Sequence, residues 1–334
     1  MSRFSFSPGG QRQKDRHASG SPAGSPAEEA RGTGRFPFTP YPLESWFKVA
    51  FSDEVALREP KLVHYFGRDL AIARDVDGRP HIVEARCPEH RELMQELLDD
   101  RLRCTQCART NRPGVDISTG ATNCRRYDTL ERNHCIYLYN DRDGEAPRFE
   151  VPHIPEIDDP AWTGYNQLHW KVRTHIQEVA ENAVDLSHFA ILHEYDYVPT
   201  PNYVDCVGNQ LIIDVTSSRK ILWMTREATL HLEYNGMGCV VARVDSPDVD
   251  LVAHLVPTPI DDEHIHLNVN IIFKKTGNRL KDWMIRTFTF RDIRRELERD
   301  IMVWESKIYF ARPVLCSADG AGFGKVRSWA RSFY

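Results

Sequence analysis

Long hydrophobic runs are missing from this 334-residue chain. No stretch approaches the roughly 18 apolar residues of a membrane-crossing helix, so an integral membrane segment is excluded. No apolar stretch follows Met1 either, so no secretory signal is expected and the expected compartment is the cytoplasm. Positive charge is not in excess: 43 Lys and Arg stand against 48 Asp and Glu, a net charge of −5. That balance argues against generic nucleic-acid binding. Cysteine is sparse at eight residues, and without an export signal these are expected as reduced thiols or metal ligands. No internal repeat of fixed period is found.

What is present is ordinary globular text. Hydrophobic residues make up 41% of the chain, enough to bury one large or two medium cores without staples. Residues 1–40 differ: Ser, Gly, Pro, Ala and Arg dominate, and such a tail cannot bury enough surface to offset its ordering entropy. It is expected to be disordered, with packed structure beginning near Pro42. Residues 41–150 read as a small all-β domain. Leu62 to Phe66 and Leu70 to Ala73 flank a turn at Gly67, Asp77-Gly78 marks a hairpin, and Ile136 to Tyr139 is a further strand. Residues 151–334 form a second domain. Helical spacing over 174–190 puts Ile176, Val179, Ala180, Ala183 and Val184 on one side. Alternation over 203–274 predicts antiparallel strands, and 279–310 predicts a long helix. The fold class is therefore α+β.

Two residue groups carry chemistry. Cys87-Pro88-Glu89-His90 and Cys104-Thr105-Gln106-Cys107 make a C-x2-H-x13-C-x2-C pattern. Two such knuckles present four soft or borderline ligands on two loop tips, which suits a tetrahedral metal or a small iron–sulfur cluster. The bland alternative is ordinary thiols beside a surface histidine. Cys124 and Cys135 are possible spare ligands, with Cys135 better placed in a core.

The second group is Asp185, His188, His193 and Asp300. Asp185 and His188, three apart, share a helix face. His193 lies five beyond His188, so the helix must end or turn near Phe189 for both imidazoles to meet one ion. Two imidazoles and a carboxylate with open positions form an Fe(II) facial triad. The competing reading is a solvated acidic face of Glu178, Glu181, Asp185 and His188. Asp300 weighs against it. With Ile293 set at zero and about 100° per residue, Leu297 falls near 40°, Trp304 near 20° and Asp300 near −20°. A carboxylate inside an apolar stripe needs a partner, since burying even a neutral polar group alone costs roughly 2–7 kcal/mol. A metal or a basic side chain supplies one. His169, His175, His254, His264 and His266 read as structural or exposed.

From Trp46 to Tyr334 the chain resembles the oxygenase component of Rieske-type non-heme iron oxygenases, in the group of ketosteroid 9-alpha-hydroxylase and the cholesterol 7-desaturases. Trp46-Phe47-Lys48-Val49-Ala50, Tyr65-Phe66-Gly67-Arg68-Asp69-Leu70, Glu181 to His188, Glu298 to Glu305 and Arg327 to Tyr334 carry the likeness. It implies an N-terminal Rieske-like domain, a C-terminal helix-grip catalytic domain and a homotrimer. It also implies mononuclear iron on His188, His193 and Asp300. Electrons would come from a ferredoxin or reductase through the cluster, and Asp185 would couple cluster to iron. The implied reaction is hydroxylation or desaturation of a hydrophobic small molecule with O2.

One departure stands out. The family uses C-x-H and C-x2-H, two thiolates on one iron and two imidazoles on the other. Here the first knuckle is one residue longer, Cys107 occupies the second histidine's place, and Ala108-Arg109 replaces Gly-Trp. Three outcomes stay open: a three-Cys, one-His [2Fe–2S] cluster of lowered potential, a structural Zn²⁺, or an empty site. Two further functions accompany them, a mononuclear iron enzyme without a redox cluster and a non-catalytic partner subunit.

Overall fold

Strand-forming text from 45 to 140 alternates small apolar and aromatic residues with charged ones, and it folds as short antiparallel strands. The computed structural model describes residues 36–334 apart from 122, 142, 194, 196, 222–223, 248 and 317–318. Of the expected disordered tail, residues 1–35 lie outside the described residues. Packing starts before Pro42: the Phe36 ring lies 4.8 Å from His175, and Phe38 meets Tyr309 edge-on at 5.0 Å.

In the N-terminal half, Ser45–Phe51 pairs with Cys135–Asn140, which pairs with Thr129–Arg132. A second sheet runs Lys61–Tyr65, Arg68–Arg74, Pro80–Glu84, Arg126–Tyr127. Phe66 and Gly67 both have positive φ, 55° and 65°, as a two-residue hairpin of right-handed twist requires. A small third sheet joins Glu96–Leu98, Arg101–Arg103 and Val115–Asp116. Beside it Ala71, Val83, Met94, Leu102 and Ile117 form a separate core that includes Cys87, Cys104 and Cys107.

The C-terminal half is one seven-stranded antiparallel sheet. Its order is Asn166–Val172, Ile265–Phe273, Leu251–Pro259, Val240–Asp245, Met224–Asn235, Gln210–Ile221, Thr200–Val207. Helices Ile176–Asn182, Ser187–Ile191, Arg279–Ser306 and Gly320–Ala330 flank it. No helix of the described residues is long and apolar enough to cross a membrane. The main core runs through both halves, joining Phe47 and Leu138 to Val240, Leu267 and Trp304. Gly238 allows this approach, because a Cβ there would lie 2.2 Å from the Trp46 carbonyl oxygen.

Two expectations need correction. The helix expected over 174–190 is two helices, broken between Asn182 and Ser187. His175 starts the first by accepting from the Gln177 N–H at 3.2 Å, so it is a cap. The solvated acidic face does not exist. Glu178 and Glu181 are 1% and 0% exposed, and both pair with Lys307. Arg327 also bonds Glu181, at 2.8 Å, and Gln177 donates to it at 2.7 Å. Basic groups brought from the C-terminal segment make this burial possible, and local spacing does not encode them.

Candidate metal centres

His188, His193 and Asp300 come together although more than 100 residues separate the two histidines from Asp300 along the chain. The chain folds back after Ser187–Ile191 through a wide turn, with the His193 N–H reaching the His188 carbonyl at 3.4 Å. A regular helix would carry His193 away; this five-residue closure returns it. The imidazole centroids lie 4.9 Å apart. Nε2 of His193 is 3.0 Å and Nε2 of His188 is 3.8 Å from the same Asp300 oxygen, Oδ1. That oxygen is buried with no hydrogen-bond donor, as is Nδ1 of His193.

Of the opposite ring nitrogens, one is hydrogen-bonded from behind and the other faces a carboxylate. Nδ1 of His188 bonds the Asp185 main-chain carbonyl, which turns Nε2 toward Asp300. Asp185 therefore touches the imidazole through its backbone. Burial raises the Asp185 carboxyl above its usual range; His188 opposes this and Asp319 adds to it. Nδ1 of His193 faces Glu296 Oε2 at 3.5 Å. Arg299 donates to the Leu192 carbonyl at 2.9 Å, tying the His193 loop to the long helix. Asp319 accepts from the Ser187 N–H and hydroxyl at 3.1 and 2.7 Å. Glu296 is a residue that sequence reading missed, although it lies one turn before Asp300 on the same helix face. Asp319 had no such signal.

Two imidazoles and one carboxylate on one side of an ion leave the other side open, the arrangement for Fe(II) and O2 chemistry. The three residues line a cavity of about 470 Å³ between the sheet and the long helix, with Leu230, Leu255, Val269 and Trp304 among its walls. No Lys or Arg is found among the described lining residues.

The other group also assembles. Ligand atoms of Cys87, His90, Cys104 and Cys107 all lie within 4.8 Å of one another. Cys104 caps the helical turn Thr105–Arg109, its Sγ accepting from the Cys107 N–H at 3.4 Å. Burial, with Cys104 and Cys87 adding, pushes the Cys107 thiol up to about 12. At Cys87 burial also acts upward, but the backbone N–H groups of His90 and Glu89, with Cys104 and Cys107, together outweigh it and the thiol is lowered. Cys124 is not a spare ligand: its thiol bonds the Glu84 carbonyl at 3.3 Å. Cys135 is fully buried in another core with Tyr137 and Tyr139, as expected.

The comparisons agree with this architecture. Residues 45–108 match the Rieske [2Fe-2S] domain, and residues 138–334 match the 3-ketosteroid 9alpha-hydroxylase C-terminal domain. A cholesterol 7-desaturase of Ciona intestinalis is 25% identical over 86% of this chain and 68% of its own length. The oxygenase component of a 3-ketosteroid-9-alpha-monooxygenase from Rhodococcus rhodochrous is 22% identical over 83% of this chain and 77% of its own. The crystal structure of dicamba monooxygenase bound to dicamba superposes with a TM-score of 0.67 at 16% identity, covering 87% of this chain and 96% of that one. The chain belongs to the Rieske-type non-heme iron oxygenases, which are oxidoreductases. Within them its C-terminal domain is of the 3-ketosteroid 9α-hydroxylase family.

Membership implies mononuclear iron and a [2Fe–2S] cluster. The triad fits the first, since an orphaned buried carboxylate oxygen faces two imidazole nitrogens. The Cys/His group fits the second poorly: one imidazole is a thiolate, and its atoms stand too close for two irons.

Proposed function

We propose that His188, His193 and Asp300 hold one ferrous ion and that a neutral, hydrophobic, sterol-class molecule is oxidised beside it. The observation that carries this reading is the triad opening onto an apolar cavity of about 470 Å³ whose described lining residues include no Lys or Arg. That size falls within the roughly 300–1,000 Å³ of small-molecule sites. The described walls offer apolar contact in place of a counter-charge, which suits a neutral molecule. The iron relatives named for cholesterol and 3-ketosteroids act on polycyclic molecules, which suit the same walls. When bound, iron would supply O2 activation for hydroxylation or desaturation. The chain's own residues orient and exclude. Asp185 and Glu296 fix the two imidazoles, while Leu230, Leu255, Val269 and Trp304 keep water from the reacting C–H bond.

In this reading residues 41–150 are the cysteine-site domain and 151–334 the catalytic domain. The chain works in the cytoplasm as a homotrimer with O2 and an external ferredoxin or reductase. Eight free thiols suit that compartment. No electron path is drawn through the Cys/His group, which does not fit a two-iron core. The same observation favours a second reading, iron chemistry whose electrons come from the substrate.

The test is anaerobic loading with Fe(II), then incubation with O2, reductase and a neutral steroid panel. Oxidised steroid formed by the wild type and abolished in His188→Ala and Asp300→Ala is expected. Product formed equally by either variant would overturn the assignment.

A further inference from the structure

Three thiol sulfurs and one imidazole nitrogen meet at the tips of two loops packed on the smaller core. Sγ of Cys87 and Cys107 are 3.8 Å apart. Nδ1 of His90 lies 3.6 Å from Cys87 Sγ, 3.3 Å from Cys104 Sγ and 3.5 Å from Cys107 Sγ. These spacings can be compared with what each candidate occupant demands. Around one Zn²⁺, with Zn–S about 2.3 Å and Zn–N about 2.0–2.1 Å, tetrahedral angles put sulfurs about 3.8 Å apart and nitrogen about 3.5 Å from each sulfur. A two-iron core divides its ligands between two metals, and ligands on different irons stand on the order of 5–6 Å apart. However the four residues are divided into two pairs, at least two contacts that must straddle the core are 3.8 Å or shorter.

We propose that Cys87, His90, Cys104 and Cys107 form a closed, four-coordinate Zn²⁺ site that stands where the family's [2Fe–2S] cluster would be. The donor set agrees, since three thiolates and one imidazole satisfy a structural zinc ion completely. Burial agrees as well: Cys87, Cys104 and Cys107 are 3%, 1% and 2% exposed, and the half-buried His90 fills the fourth position. Zinc has no second oxidation state in water, so this site stores no electron and serves to staple two loops over a small core. The inference does not depend on the iron assignment, because it concerns other residues and another metal.

The test is elemental and sulfide analysis of protein produced with ample iron, sulfide and zinc and purified anaerobically. Both the wild type and His188→Ala/Asp300→Ala are analysed, the latter to silence the triad. One zinc per chain in each, no acid-labile sulfide and no visible absorption are expected. Stripping zinc with a chelator should lower the melting temperature, and Co²⁺ in its place should show the d–d bands of a tetrahedral thiolate site. Two irons and two sulfides in the double variant, a single iron in zinc's place, or an empty site would each overturn the proposal. Should the double variant not fold, the wild type decides: one zinc with at most one iron supports the proposal, and three irons overturn it. Zinc but no iron in the wild type would sink the iron reading alone.

Discussion

Asp300 is the side chain on which the catalytic reading turns. Its carboxylate is 6% exposed, inside an apolar stripe, with two imidazole nitrogens as its near neighbours. Replacing it with alanine removes an ion ligand and also a buried charge. Asp300→Ala should therefore lose bound Fe(II) while keeping or raising its melting temperature. A folded variant that still binds one iron with unchanged affinity would contradict this. Glu296 acts one step back, on His193 Nδ1. Outer partners of metal-bound histidines typically contribute 10–100-fold to affinity. Glu296→Gln should weaken Fe(II) binding by about tenfold or more in a competitive titration, with zinc content at the cysteine site unchanged.

At the scale of elements, the short helix Ile176–Asn182 is held by charge as much as by apolar packing. Glu178 and Glu181 enter the interior only because Lys307 and Arg327 follow them there. Arg327 also donates to the carbonyls of Phe310 and Ala311, so one guanidinium ties helix, loop and C-terminal helix together. Removing one member of such a pair strands the other. Arg327→Met should destabilise the fold by about 3–5 kcal/mol in a denaturant titration. A loss under 1 kcal/mol would mean that Lys307 suffices alone. The break after Asn182 matters for function, because it lets Ser187–Ile191 start afresh and aim His188 at the long helix.

For the whole molecule, pH reads the interior. Burial, with Lys48 adding, lowers His254 to about 3, and burial lowers His175 and His266 to about 4. An unfolded histidine titrates near 6.5. Between these values the unfolded chain binds protons that the folded chain refuses. Stability from these groups is thus complete above about pH 6.5 and falls as pH drops toward 4. Melting temperature should decline over that window, and His254→Asn should flatten the decline. His254 is buried against Tyr137, Tyr165 and Cys239, so it bridges the two halves. An unchanged slope in the variant would locate the titration elsewhere.

What the sequence determined by itself was local. Alternation and turn residues specify strands and hairpins such as Arg68–Arg74 with Pro80–Glu84, because side-chain period is set by covalent geometry. Residue type and spacing specify which groups can ligate metal, and a misplaced Asp300 betrays a need for a partner. Only the tertiary structure decided which of those groups meet. The turn that returns His193, the basic residues that bury Glu178 and Glu181, and the short contacts among Cys87, His90, Cys104 and Cys107 all depend on distant packing. Distances across a fold follow from the free energy of assembling remote segments, and no local pattern records that sum.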